Sequence, residues 1–596
     1  MDRERLKKAV AEVLEGRTLL SGAVANINVG KMLGNQAEGA IVVDRANPSR
    51  MFVATNIDVG DGMMVATSTD SGQTWNRRTI ANDKDGLPAA CCDPSADFDS
   101  FGNLFVTYLN NNTDEVVVLR STDGGQNFTM LTEFHGNIDQ PTVTTGPGGV
   151  WVEWDTADGI AVAGAADNGL GDTGAFSKEQ ILPGSSKGAF GDVAVGPAGQ
   201  VMVTYQKPAG NASRIYVDVD ADGVGPAGFG KAILVTGTHT VDFDYVSAQP
   251  NRGIDAEAGL AFDRSGGAFD GRVYLVYTDQ TPGTENSDIF LRYSDTNGSS
   301  WSNPIRVNSD QTLTTQMLPR VAIDNTTGNV AVGWYDARND GSAGASGDTN
   351  GVVNDDVEYF ATLVKPLSYG LEVSPNLQIS AGASNAEDAQ SGIDLGDYTG
   401  LDFYQGTMHP LWFDNSNSTG DNPDGTLKDL DSYTANVPIS KFDAATVVSD
   451  GGLADPSGPV AGLSFGSGVN PGFVRRGSSY TITVRYRDAS GVDKSTITDN
   501  DLMVTGPDGF SRAAQLVKVK TKAGGIVVAT YRVINPTGKF TAAQGGTYQI
   551  LLQPDEVKDS SGGASTSGVL GTFAVTTGGA GSRIGVKAPR HRHEAD

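Results

Sequence analysis

The chain has 596 residues, 77 of them glycine, with a charged fraction of 19% and a formal net charge of −28. That length exceeds one compact core, the glycine content suits turn-rich β structure better than helical bundles, and the acidity, with no long basic cluster in the body of the chain, argues against nucleic acid as a partner. The adjacent pair Cys91 and Cys92, the only cysteines, excludes a zinc-finger array or a disulfide scaffold, and no run of about eighteen apolar residues offers a transmembrane helix.

Residues 1–22 are basic and helix-prone (Arg3, Arg5, Lys7, Lys8) and lack the apolar run of an ordinary signal peptide. Within them, Leu14-Glu15-Gly16-Arg17-Thr18-Leu19-Leu20-Ser21 is similar to the L-E-P-R-x-L-L-S segment at the start of many large exported bacterial proteins, with Gly16 in place of the usual proline. The similarity implies a secreted or cell-surface protein; the alternative is an amphipathic helix with no export role.

From residue 23 to about 445 a unit of roughly fifty residues recurs, the period of four-stranded propeller blades. Each unit opens with a short apolar strand ending in Asp or Gly: Ala40–Asp44, Ser95–Asp99, Thr142–Gly146, Val193–Gly196, Gly259–Asp263, Val321–Asp324 and, more loosely, Thr399–Phe403. A second strand rich in aromatic and β-branched residues follows, as in Leu104–Tyr108, Val150–Trp154 and Val273–Tyr277, as a blade buried on both faces requires. Seven modules are counted, with six the alternative. Ala25, Ile27 and Val29 alternate with Asn26 and Asn28, and this segment is predicted to supply the outer strand that closes the ring. Gly341–Asn354, rich in Gly, Ser and Asp, is a long loop of module six, read as a lid or a metal site.

Two third strands run into nearly identical turns, Ser68-Thr69-Asp70-Ser71-Gly72-Gln73-Thr74-Trp75 and Ser121-Thr122-Asp123-Gly124-Gly125-Gln126-Asn127-Phe128. The Asp carboxylate can accept backbone N–H bonds across such a turn, Gly takes a dihedral that a Cβ forbids, and the aromatic pins the turn to the layer beneath. The pattern S-x-D-x-G-x-x-[WF] resembles the Asp-box, the bacterial-neuraminidase repeat (BNR) of sialidase-like β-propellers. Ser294–Trp301 keeps Ser, Gly and Trp, but its acid, Asp295, stands one place early. The resemblance implies an all-β, sialidase-like propeller with these turns between third and fourth strands, away from the channel mouth.

Residues 446–466 are small and polar and are read as a linker, followed by a domain over 467–576 and a flexible tail over 577–596. Tyr480–Tyr486 alternates as a half-buried strand should, and further strands at Leu502–Thr505, Ala514–Val519, Ile526–Arg532, Gly546–Leu552 and Gly571–Val575 fit an immunoglobulin-like β-sandwich. Thr498–Gly509, Gly546-Thr547-Tyr548 and Leu570–Phe573 resemble the Ig-like repeats that decorate exported bacterial proteins, whose role is spacing or attachment.

Propellers use the mouth of the central channel, where first strands begin. At that level stand Glu38, Asp93, Asp139, Asp192, Asp255, Glu257, Arg320 and Asp397. This acidic ring with one arginine either binds a cation, orients a sugar or supplies acid and base, since clustered carboxylates raise one another's pKa, or it caps strands and satisfies turn donors. Arg320, Asp397 and Asp93 are the catalytic candidates. A second set follows the second strands: Trp154 with Asp155, Trp334 with Asp336 and Arg338, and Trp412 with Asp414. These are either sugar-stacking aromatics with hydroxyl-binding carboxylates or blade packing. Asp218-Val219-Asp220-Ala221-Asp222-Gly223 has the opening of a calcium loop without the late carboxylate, and is either a calcium-binding variant of the turn or a solvated acidic loop. Cys91–Cys92 is read as a vicinal disulfide, as two buried thiols, or as a metal or redox site.

The sialidase resemblance implies three arginines on a substrate carboxylate, a tyrosine nucleophile helped by a glutamate, and an aspartate acid/base. Arg320 and Arg338 match an anion site; a third arginine and the Tyr/Glu pair have no counterpart in the motifs, and Leu318-Pro319-Arg320-Val321 carries the elements of the family's arginine segment in another order. The sequence thus predicts an exported carbohydrate- or protein-binding propeller that is not catalytic, with a glycan or cell-surface protein as partner, calcium in a supporting role and no organic cofactor. The alternatives are a glycoside hydrolase acting at the channel mouth and an extracellular scaffold.

Overall fold

The computed structural model describes residues 24–442 apart from 368, 369, 426 and 427, and strands and short segments between 446 and 575. The N-terminal segment, including Leu14–Ser21, and the tail lie outside the described residues. The chain divides near residue 446 into two compact units.

The first unit is a seven-bladed β-propeller. Its inner strands are Gln36–Val43, Ala90–Phe98, Ile138–Gly146, Ala189–Val195, Gly259–Phe262, Gln316–Asp324 and Gly400–Tyr404, each pairing antiparallel with the second strand of its own sheet. Each inner strand adjoins that of the next blade, and the seventh adjoins the first. Side chains on these strands stitch neighbouring blades together: Asp97 accepts from the Thr145 N–H at 2.7 Å, Asp192 from the Leu260 N–H at 2.7 Å, and Asp402 from the Val43 N–H at 2.6 Å. The last of these spans the junction between blades seven and one. Second strands are buried along their length, Leu104–Asn110 throughout, which explains their continuous apolar runs.

Asn26–Asn28 supplies the outer strand of blade seven, pairing with Tyr433–Ala435. The closing segment is held by its asparagines as much as by its apolar residues. Asn28 Nδ2 donates to Asp431 at 2.7 Å and Asn26 Nδ2 to the Ile379 carbonyl at 2.8 Å, while Ala25 is exposed.

The turn at Ser68 joins the third strand Met63–Ser68 to the fourth, Asn76–Ile80, at the end of the blade opposite the inner-strand entries. Ser68 Oγ donates to Asp70 Oδ1 at 2.8 Å and accepts from the Gly72 N–H at 2.9 Å, and Asp70 Oδ1 accepts from the Thr74 N–H at 2.9 Å. Gly72 sits at φ +79°. Ser121, Asp123, Gly125 and Asn127 repeat the arrangement. At Ser294 the role of the missing acid falls to Thr296, whose Oγ1 accepts from the Ser300 N–H at 2.9 Å; Asp295 instead pairs with Arg272 at 2.7 Å.

The second unit contains two five-stranded sheets enclosing one core of Ile482, Val484, Tyr486, Val504, Tyr531 and Tyr548, among others. The Tyr486 and Tyr531 hydroxyls meet at 2.9 Å, and Tyr531 donates to buried Asp501. The stretch expected as a linker contributes strands Gly452–Leu453 and Val460–Leu463 to the first sheet. Such short strands among small residues and prolines leave no periodic signal.

Candidate functional site at the channel mouth

The mouth is built by a backbone irregularity repeated in six blades. One or two residues before the inner strand settles into regular pairing, a non-glycine residue adopts the left-handed conformation: Glu38 (φ 46°), Asp93 (57°), Gln140 (45°), Phe190 (56°), Glu257 (41°) and Leu318 (51°). In five of the six the pairing register slips at this point, the mark of a β-bulge, which re-aims a side chain. Each such residue costs about 1–3 kcal/mol and persists only where its surroundings hold it, a pattern concentrated at functional sites. Blade seven enters through Gly396 (φ 83°), where a Cβ would also lie 2.6 Å from Glu38 Cγ.

The bulges bring Glu38, Asp93 and Asp397 together. Glu38 Oε1 accepts from the Asp397 N–H at 3.1 Å, and Asn56 Nδ2 donates to Oε2. Glu38 and Asp93 are hydrogen-bonded through their carboxyl groups. Burial, with Asp397 nearby, pushes Glu38 up to about 7, and burial with Glu38 nearby drives Asp93 well above the usual carboxylate range. Gln140 Nε2 donates to Asp397 at 2.9 Å. Arg252 holds the same carboxylate by two bonds, its Nε 2.5 Å from Oδ1, and stacks on Phe243 with 4.8 Å between guanidinium and ring centroid. Arg252 and Phe243 belong to a hairpin between blades four and five (Asp244–Val246 and Gln249–Ile254 are its strands), anchored by Asp394, which accepts from the Asn251 and Arg252 N–H groups at 2.7 and 2.8 Å. The hairpin exposes Phe243 and Tyr245, at 46% and 60%.

A second group lies at the same end. Arg320 pairs with Glu257 at 3.0 Å, donates to the Thr399 carbonyl at 2.9 Å and lies 5.1 Å over the Tyr398 ring. Burial raises Glu257 to about 8 despite Arg320, and raises Asp155 to about 8 although the Phe190 N–H donates to it at 2.9 Å. Asp192 is raised by burial, with Arg320 opposing, and Asp255 is driven well up by burial and by Glu257. Glu153 is wholly buried between blades three and four with no hydrogen-bond partner on either oxygen, and burial keeps it protonated far above its ordinary range. A Cβ on Gly191 would fall 1.9 Å from its Oε1. At the far end of the channel the charges are balanced: Arg45 pairs with Asp402 at 2.5 Å, and Arg264 donates to the Thr145 carbonyl beside Asp97.

Of the residues singled out in the sequence, Glu38, Asp93, Asp192, Asp255, Glu257, Arg320 and Asp397 converge here, and Asp139 sits at the exposed rim. Arg252, Gln140, Phe190, Phe243 and Tyr398 were not anticipated. A proline directly after the left-handed residue, at Pro94, Pro141 and Pro319, is a signal of bulges that could have pointed to Gln140, since proline inside a strand marks an irregularity.

The second set is core. Trp154, Trp334 and Trp412 are 0% exposed and can stack on no ligand. Trp334 Nε1 donates to Asp336 at 2.7 Å and Trp412 Nε1 to Asp414 at 3.1 Å; Trp154 packs on Phe134 at 4.5 Å. Arg338 is held by Asp336 at 2.5 Å and lies over Phe360. Trp334 and Trp412 follow the packing alternative with the aspartate two residues on as acceptor of the indole N–H, whereas Trp154 Nε1 is buried with no hydrogen-bond partner and its ring is held by packing alone. The acids of Asp218–Gly223 bond locally. Asp218 accepts from Tyr205 at 3.0 Å, Asp220 from the Asp222 and Gly223 N–H groups at 3.1 Å, and Asp222 from the Ala227 N–H. Cys91 and Cys92 are disulfide-bonded to each other, directly before Asp93.

No known family model matches the sequence, and no curated protein matches it. Among solved structures the chain is similar to a protein of unknown function from Dyadobacter fermentans (11% identity, 70% of this chain and 99% of that one, TM-score 0.38). It is also similar to a GH93 α-L-arabinofuranosidase of Fusarium graminearum (11%, 52% and 92%, TM-score 0.35). A third is an intramolecular trans-sialidase from Ruminococcus gnavus (12%, 69% and 95%, TM-score 0.35). Likeness of this degree bears on neither substrate nor mechanism, and the propeller rests on the strand pairing itself.

Proposed function

We propose that the protein is an exported carbohydrate-binding propeller whose ligand site is the acidic channel mouth. One observation carries the reading: carboxyls from several blades and two arginines converge at one end of the channel, beneath a hairpin that exposes Phe243 and Tyr245. Carboxyls bond sugar hydroxyls in either protonation state, and aromatic rings cover the apolar face of a pyranose. Both arginines at this mouth are already paired with carboxylates, and the surrounding acids repel anions. A neutral or amino sugar therefore suits the site better than sialic acid. The segment Leu14–Ser21 and the vicinal disulfide support export.

A second reading, glycoside hydrolysis at the same mouth, is favoured by the Glu38–Asp93 pair. Carboxyls raised by burial on adjacent blades supply a general acid that keeps its proton toward neutral pH. One experiment separates the two. The full chain is applied to an array of neutral, amino and sialylated glycans, and the retained glycans are then incubated with it and assayed for released reducing ends. Retention without release supports binding. Release that is abolished in Glu38→Gln and Asp93→Asn, with unchanged circular dichroism, supports the hydrolase. Neither retention nor release overturns both.

A further inference from the structure

The long loop of blade six, between the second strand Asn329–Asp336 and the third strand Asp356–Leu367, gathers carboxylates that the channel mouth does not use. One oxygen each from Asp340, Asp348 and Asp356 lies within 4.8 Å of the others. Two oxygens bound to one calcium at ~2.3–2.6 Å lie at most about 5 Å apart, so this spacing suits a single ion.

Proximity alone would mean little, but Asp340 supplies an independent sign. It is 0% exposed, and its Oδ2 accepts from the Asp355 and Asp356 N–H groups at 2.9 and 3.1 Å, whereas Oδ1, also buried, has no hydrogen-bond partner. Asp355 Oδ1, next to Asp356 in sequence, and Glu358 Oε2, on the strand that Asp356 begins, are likewise buried and unpartnered. Among the described residues no basic side chain balances this charge. The nearby Arg338 is committed to Asp336 and Asp310, and among the described residues none of Asp340, Asp348, Asp355, Asp356 or Glu358 forms an ion pair. Buried acid groups without cationic partners are costly, and an ion in their midst removes the cost.

The loop is shaped around these acids. Asp348 gathers the Gly344, Asn350 and Gly351 N–H groups, and Asp356 accepts from the Thr349 N–H at 2.6 Å. Asn354 ties the loop to blade five through Glu285, and Asn385 Nδ2 donates to Asp356 at 3.1 Å.

We propose that Asp340, Asp348 and Asp356 form a calcium site that orders the blade-six loop. An all-oxygen, carboxylate-rich donor set selects a hard divalent cation, and a loop with solvent access and variable carboxylate geometry suits calcium better than magnesium, which demands a rigid octahedron.

The test is calorimetric titration of calcium chloride into the full chain after chelator treatment. Wild type and Asp220→Asn bind calcium alike, while Asp340→Asn and Asp348→Asn each weaken binding by at least about tenfold, a loss of ~1.4 kcal/mol. Asp348, being only partly buried, is the variant that folds if Asp340→Asn does not, and its circular dichroism is recorded alongside. The proposal is overturned if the chelator-treated chain binds no calcium, or if Asp348→Asn binds it as wild type does.

Discussion

Arg252, on the hairpin between blades four and five, clasps Asp397 at the entry to blade seven through Nε at 2.5 Å and a second guanidinium nitrogen. The contact joins residues 145 positions apart and places a charge pair across the mouth, with Asp397 almost wholly buried and Arg252 only partly so. Arg252→Ala leaves that carboxylate unpaired. It is expected to cost about 3 kcal/mol in urea unfolding, the low end for a broken buried pair, because solvent reaches the arginine. Arg252→Lys restores the charge without the two-pronged geometry and recovers only part of the loss.

Stability falls as pH rises from about 4.5 to 8. Burial holds Glu38 near 7 and both Glu257 and Asp155 near 8 in the folded chain, against ordinary values of 4.5 for Glu and 3.8 for Asp. Across that window the folded state keeps protons that the unfolded state has released, so each unit of pH favours unfolding. Asp70 acts in the opposite sense lower down. The Thr74 and Ser68 bonds lower it to about 2, so its contribution is present above about 4 and is lost as pH falls through 2. Urea midpoints measured between pH 3 and 9 therefore peak near about 4 to 5; a midpoint that climbs from pH 5 to 8 contradicts this assignment.

Gly191→Ala places a methyl group 1.9 Å from Glu153 Oε1 and is expected to cost about 1–3 kcal/mol through overpacking. Glu153→Gln, nearly isosteric and uncharged, raises stability at pH 8 and flattens the pH profile, which differential scanning calorimetry reads directly.

Ser68→Ala removes the oxygen that accepts from Gly72 and donates to Asp70, and costs about 1 kcal/mol. This turn lies at the end of the blade opposite the mouth, so glycan retention by the variant is unchanged.

Intact mass after alkylation shows no adduct on the untreated chain and two after reduction, as the bonded pair Cys91–Cys92 requires.

The blade count was legible because an inner strand that is apolar, short and closed by Asp or Gly recurs in six modules and, more loosely, in the seventh, and because Ser68–Trp75 and Ser121–Phe128 mark the same corner twice. The acids at the mouth were legible for the same reason, as they stand within a few residues before those strands. Arg252 and Phe243 were not, since their hairpin is inserted between blades and shares no period with them. Trp154, Trp334 and Trp412 misled because a buried tryptophan followed by an aspartate and an exposed one poised for a sugar read alike along the chain; burial alone separates them. Thr296 escaped notice because its hydroxyl replaces a carboxylate that the turn pattern requires by type.

The measurement that bears most directly on the mouth as a carbohydrate site is calorimetric titration of an array-retained glycan into wild type, Arg320→Met and Ser68→Ala. The mouth site predicts at least about tenfold weaker binding for Arg320→Met, which removes the partner of Glu257, and wild-type affinity for Ser68→Ala. Equal affinity in all three proteins would contradict it.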